Sequence, residues 1–249
     1  MLLRDKVAVV YGAGGAIGGA AARAFAREGA RVFLAGRTAA PLDELAEDIR
    51  TAGGDAETAV VDARDEAAVD AFVDGVAARA GRIDVSFNAV GYGDIQKPLM
   101  EISEGDFLQP IVTAMRSQFL TTRAAARHMT ARGTGVILAF GGGGTQTLPG
   151  LGGFKIALDA LEGLRRQWAI ELGPQGIRVV TLKSGGVPES LPAGFPGAEA
   201  IVDSLVEATQ LGRAATLDDV GDVAAFVASD RARTLTATDV NISCGAIVD

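Results

Sequence analysis

The sequence predicts an α/β domain: a doubly wound, seven-stranded parallel sheet with helices on both faces. Three observations predict it. Short β-branched runs alternate with Ala-rich helical stretches along the chain. The runs are apolar at consecutive positions, as strands covered by helices on either side are. No internal repeat, low-complexity tract or Pro/Ser-rich linker divides the 249 residues, a length suited to one large domain.

The first strand, Val7–Tyr11, runs into Tyr11-Gly12-Ala13-Gly14-Gly15-Ala16-Ile17-Gly18-Gly19 and then a helix, Ala16–Glu28. Glycine lets a ligand approach the backbone closely, and a helix N-terminus offers free N–H groups and a partial positive charge. A glycine-rich turn between a first strand and a first helix is therefore a phosphate cradle, with Gly12, Gly14, Gly15, Ala16, Ile17 and Gly18 as its candidate residues. The second strand, Arg31–Ala35, ends in Gly36-Arg37-Thr38. A carboxylate near this point would hold a ribose 2′-hydroxyl, and none is present. Arg37 instead has the fork that pairs with a 2′-phosphate, which favours NADP(H) over NAD(H). A helix Pro41–Ala52 follows. The third strand, Glu57–Val61, ends at Asp62, and a helix follows at Glu66–Arg79. The fourth, Ile83–Asn88, ends in Asn88-Ala89-Val90-Gly91, before the long helix Glu104–Arg132.

The fifth strand, Gly135–Phe140, runs into the glycines Gly141–Gly144 and then the helix Gly153–Leu172. The sixth, Ile177–Leu182, is followed by Lys183-Ser184-Gly185-Gly186 and the one irregular stretch, Gly185–Gly197. Its composition fits an ordinary surface loop or a lid over a pocket. The helix Ala198–Leu211 comes next. Thr216 and two early Asp residues suit the start of the helix Leu217–Ala228. Val240–Ser243 is the last strand. One domain, 1–249, with a lid segment at about 185–211, accounts for the whole chain.

Hydrophobic residues make up 48% and aromatics 5%, so the core is built from Ala, Val, Leu and Ile. The formal net charge of −8 argues against nucleic acid as a partner. No run approaches the roughly 20 apolar residues of a membrane span. The start, Met1-Leu2-Leu3-Arg4-Asp5-Lys6, is too polar for a signal peptide. A lone cysteine, Cys244, suits a reducing compartment, so the expected location is cytoplasmic. The single histidine, His128, has no partners at ligand spacing, and no metal site is expected.

The glycine turn is similar to T-G-x-x-x-(G/A)-x-G of the short-chain dehydrogenase/reductase superfamily, with Tyr11 in the Thr place and Ala16 in the second glycine place. The resemblance spans nearly the whole chain. Asn88-Ala89-Val90-Gly91 resembles the family's N-N-A-G. Gly173-Pro174-Gln175-Gly176-Ile177-Arg178-Val179, then Gly212-Arg213, Asp219-Val220 and Phe226-Val227-Ala228-Ser229-Asp230 resemble its C-terminal half. The resemblance implies a Rossmann fold, Asp62 at the adenine, Asn88, Gly91, Gly185 and Val187 around the dinucleotide, and a small-molecule substrate. It also implies a homo-oligomer, dimer or tetramer, formed through the helices Glu104–Arg132 and Gly153–Leu172. Apolar Val187–Phe195 suggests a hydrophobic ligand.

The same resemblance locates a Tyr, a Lys four residues later, a Ser and an Asn that run the family's proton transfer. Counting from Leu161-Glu162-Gly163-Leu164 puts the Tyr place at Phe154 and the Lys place at Leu158. The Ser place falls at Gly141 and the Asn place near Ala114. A one-residue slip toward Lys155 finds Leu151 where a Tyr is needed. None of these side chains exchanges a proton. General acid–base catalysis is worth ~10²–10⁴-fold, so the family's usual carbonyl chemistry should be crippled. Tyr92 and Lys183 lie where strands end and are the candidate replacements, with Thr145, Gln146 and Gln118 behind them. Three readings stay open: an NADP(H)-dependent oxidoreductase using a displaced acid or a water; a silent nucleotide-binding or scaffold relative; and a non-redox dehydratase, isomerase or cyclase.

Overall fold

The computed structural model describes residues 1–93, 95–142, 147–192 and 194–248. The strands are β1 (Val7–Tyr11), β2 (Arg31–Gly36), β3 (Asp55–Val60), β4 (Val85–Asn88), β5 (Gly135–Phe140), β6 (Ile177–Lys183) and β7 (Thr238–Asn241). The helices are α1 (Ala16–Arg27), α2 (Ala39–Thr51), α3 (Glu66–Ala80), α4 (Glu104–Thr130), α5 (Gly152–Leu172), α6 (Ala198–Glu207) and α7 (Leu217–Ala228). All seven strands form one sheet in the order β3-β2-β1-β4-β5-β6-β7, and every pairing is parallel. The order reverses between β1 and β4, which opens a crevice beyond their carboxyl ends.

Two apolar layers sandwich the sheet, because side chains alternate along a strand. Ala8, Val10, Leu34, Phe87, Leu138 and Leu182 face α1, α2 and α7, where Phe25, Leu45 and Val227 meet them. Val7, Val9, Tyr11, Phe33, Ile137 and Val179 face α3, α4 and α5, against Phe72, Val76, Leu120 and Met129. Tyr11 is wholly buried edge-on to Phe72, so the residue in the Thr place is a core aromatic. Burial raises its hydroxyl well above the usual tyrosine range, and the nearby Asp70 adds to that.

Apolar coverage on both faces holds for the inner strands and fails at the edges. Val60 of β3 is exposed, and no residue of β7 is fully buried. β4 begins two residues later than the apolar run, and just before it the Asp84 carboxylate accepts from Val7 N–H and from Arg82. α6 stops at Glu207, after which the backbone N–H groups of Gln210 and Leu211 donate to Cys244 O. Arg178 of β6 reaches across the C-terminal segment and donates to the carbonyls of Val227, Ser229 and Leu235.

Candidate functional site

Gly12 follows β1 with φ +73°, and a Cβ there would lie 2.6 Å from Ala89 O. A Cβ at Gly18 would lie 2.3 Å from Gly12 O, so the start of α1 seats directly on the turn. Only glycine meets either condition. Gly15 is the N-cap of α1, no side chain caps it, and the first turn holds no acid. The opening amides of α1 are therefore left for an anion. Gly12, Gly14 and Gly15 line a cavity of about 360 Å³ between the ends of β1, β2, β3 and β4. Ala16, Ile17 and Gly18 form the helix start behind it, and Ile17 packs on the core.

Arg37, Asp62 and Gly91 line the same cavity. Arg37 is exposed on the loop after β2, and a Cβ on Gly91 would meet only open space. Asp62 is not a bare acceptor. Arg64 donates from Nε to Oδ1 at 3.1 Å, from Nη2 to Oδ2 at 2.8 Å and from its backbone N–H to Oδ1 at 2.9 Å. These bonds, with the charges of Arg64 and Arg37, hold the carboxyl down at about 2 despite some burial. Arg64 lines the cavity and was missed in the sequence. Its only signal there is a guanidinium two residues past a carboxylate, just before the Asp65 cap of α3. Asn88 does not line the cavity. Its Nδ2 donates to Thr121 Oγ1 and its Oδ1 accepts from Val90 N–H, so it shapes the wall. Gly185 and Val187 lie past β6, outside this cavity. Gly185 packs against Ser243 and Ala246, and Val187 is buried. The cradle, the uncapped helix and the cations fit a dinucleotide.

Beyond the cavity, the expected reaction face is apolar. Tyr92, Ala114, Ala157 and Leu161 form a small buried cluster, packed against Ile111, Met115, Phe154, Leu158 and Leu164. Gly141 has φ +106°, and a Cβ there would meet Leu158 Cδ2 at 3.2 Å and Tyr92 Cε2 at 3.7 Å. Tyr92 Oη donates to Phe140 O and accepts from Gln118 Nε2, both at 3.3 Å. Burial pushes this hydroxyl up to about 12, although the Gln118 bond pulls the other way. Lys155 is ion-paired to Asp159 one turn on. Gly143, Gly144, Thr145 and Gln146 lie outside the described residues.

Lys183 is only 3% exposed. Its Nζ is 2.5 Å from Asp239 Oδ2, Asp239 also faces Arg165 at 3.5 Å, and Arg165 pairs with Glu162. Two cations and two anions thus form a neutral network beneath the sheet edge. Burial raises the Asp239 carboxyl, but Lys183 and Arg165 outweigh that and hold it below its ordinary value. A Cβ on Gly142 would lie 2.9 Å from Glu162 Oε1 and 3.3 Å from Lys183 Cβ, so the network occupies the space that glycine leaves. The lysine offered as a candidate catalyst at the end of β6 sits in a buried ion pair. His128 pairs with Asp74 on the outer face of α4. Among the described residues, no group of three His, Cys, Asp or Glu could hold a metal, and no helix is long and apolar enough to cross a membrane.

The past-β6 segment is tied at both ends. Glu189 accepts from Leu217 N–H at the start of α7, and α6 folds its Leu205 onto Gly186. No residue of α6 is buried, and Phe195 and Leu211 are exposed.

Known proteins resemble the chain along its whole length. The family described as enoyl-(acyl carrier protein) reductase matches residues 12–246. A cis-4-hydroxycyclohexanecarboxylate dehydrogenase of Sinomonas cyclohexanicum is 33% identical, over 92% of this chain and 91% of that protein. A meso-2,3-butanediol dehydrogenase of Serratia marcescens is 31% identical, over 99% and 96%. Among solved structures, a short-chain dehydrogenase/reductase from Serratia marcescens BCRC 10948 superposes with a TM-score of 0.89 at 27% identity, covering 99% of both chains. The parallel sheet with its switch point, the glycine cradle at that point and these relatives agree: the chain belongs to the short-chain dehydrogenase/reductase superfamily.

Proposed function

We propose that this protein binds NADP(H) at the β1–α1 cradle and is a nucleotide-binding member of its superfamily in which the usual proton relay has been lost. One observation carries the reading: Phe154, Leu158 and Ala114, at the family's Tyr, Lys and Asn places, pack in one apolar cluster with Leu161. When bound, NADP(H) supplies or accepts a hydride. The chain's part is to hold the phosphates at Gly12–Gly15, to set Arg37 at a 2′-phosphate, and to keep water from an apolar face. A carbonyl acceptor needs a proton as well as the hydride, and the described residues of the cluster offer only the Tyr92 hydroxyl and the Gln118 amide. We propose a structural role for Lys183, because its buried ammonium is ion-paired to Asp239.

Fluorescence titration of the pure protein with NADPH and with NADH tests this. Tight binding with NADPH preferred, and no steady nicotinamide oxidation with ketones, is the expected result. Failure to bind either at millimolar concentration would refute the reading.

The displaced-acid oxidoreductase stays as a second reading on one observation: Tyr92 borders Gly141, at the Ser place. A hydroxyl raised to about 12 stays neutral across ordinary assay pH. Any turnover that uses it should therefore lack a basic limb below that pH and should vanish in Tyr92→Phe. An apolar face of this kind suits an enoyl or other hydrophobic substrate. A homo-oligomer built on α4 and α5 completes the proposal, since Val112 and Phe119 of α4 and Ile156 and Ile170 of α5 are exposed apolar side chains.

A further inference from the structure

The cavity wall past β2 and β3 carries two guanidiniums, Arg37 and Arg64, and one carboxylate, Asp62. Both Asp62 oxygens are taken by Arg64. Arg37 makes no hydrogen bond or ion pair among the described residues, although its charge reaches Asp62. The wall is thus cationic on a protein of net charge −8, and its one carboxylate already accepts from Arg64 on both oxygens. An adenine presents an exocyclic N–H donor and needs such an acceptor. A 2′-phosphate is a stronger, doubly charged acceptor for a guanidinium fork.

We propose that Arg64 is a counter-ion switch that reads the 2′-phosphate: when NADP(H) binds, its guanidinium leaves Asp62 for the phosphate beside Arg37, and Asp62 is released to the adenine amino group. The inference rests on the dinucleotide reading of this cavity and adds a second specificity residue to it. The main chain is built for such a move. Arg116 of α4 donates from Nε to Arg64 O at 2.7 Å, Arg64 N–H stays on Asp62, and Asp65 caps α3. The Arg64 backbone is therefore fixed on both sides, while its side chain is 41% exposed and held only by Asp62 among the described residues. NAD(H) brings only an uncharged hydroxyl at this point. It cannot draw Arg64 away, so it gains no phosphate contact and its adenine meets a carboxylate still shared with Arg64.

Binding constants for NADPH and NADH in the wild type, Arg64→Gln, Arg64→Lys and Asp62→Asn test the switch, with unfolding midpoints to verify folding. Arg64→Gln should weaken NADPH roughly tenfold or more and leave NADH unchanged or tighter, because Asp62 is now open. Arg64→Lys, which keeps the charge without the fork, should recover part of the NADPH preference. Asp62→Asn should weaken NADPH more than NADH, whose adenine must share the carboxylate with Arg64. A folded Arg64→Gln whose NADPH-to-NADH ratio equals that of the wild type overturns the switch while leaving the cavity a dinucleotide site. A wild type that binds neither nucleotide overturns the dinucleotide reading and the switch with it.

Discussion

Asp62 and Arg64 show what a short carboxylate–guanidinium turn does to titration. The folded Asp62 carboxyl sits at about 2 against an unfolded value of 3.8. A depressed folded value means the unfolded chain binds the proton first. The stabilisation is complete above about 4 and is lost as pH falls toward 2. Asp219 and Asp239 are shifted the same way. An acid titration followed by circular dichroism should show stability dropping through that window, and Asp62→Asn should flatten the drop slightly, since this pair is half-exposed and screened. Lys183 belongs to a different regime. Lys183→Met leaves the part-buried Asp239 with Arg165 but without its nearest cation and should cost ~1–3 kcal/mol in urea unfolding, whereas Lys183→Met with Asp239→Leu should recover most of it. A catalytic lysine would give the reverse pattern, with turnover lost in both variants and stability little changed. The network was not legible in the sequence because Lys183, Asp239 and Arg165 are brought together only by the β6–β7 register, which places Thr181 beside Asp239 and Lys183 beside Asn241.

Helix ends were legible where a side chain marks them. α7 begins where Thr216 predicts, because Thr216 and Asp219 form a reciprocal capping box. Thr216→Ala should cost about 1 kcal/mol of stability, read by urea unfolding. α6 overran its true end because its closing partner, Cys244 O, lies in a distant segment that local pattern cannot see. The nucleotide cradle was legible for the opposite reason. Gly18 is forced by its contact with Gly12 O inside the same turn, so that spacing carries the geometry, whereas the Ala89 O that holds Gly12 to glycine comes from a distant segment. At the same scale, Val112 and Phe119 lie seven residues apart on one face of α4. If that face pairs two copies, the double variant Val112→Asp and Phe119→Glu should elute at the mass of a single chain in size-exclusion chromatography with light scattering, against a multiple of it for the wild type.

For the molecule as a whole, a ligand that binds only the folded state raises stability by mass action. NADPH at a hundred times its dissociation constant should add ~2.7 kcal/mol and lift the melting temperature by roughly 5–10 °C. NADH at the same concentration should add less. Arg178 sets a different whole-chain condition. Its guanidinium emerges from synthesis about 50 residues ahead of the carbonyls of Val227, Ser229 and Leu235 that receive it. Until those carbonyls arrive, β6 is a bare sheet edge with an uncompensated charge beside it, and an unpaired edge is a template for foreign strands. A nascent chain halted before residue 227 should therefore be a client of chaperones, and one completed through β7 should not.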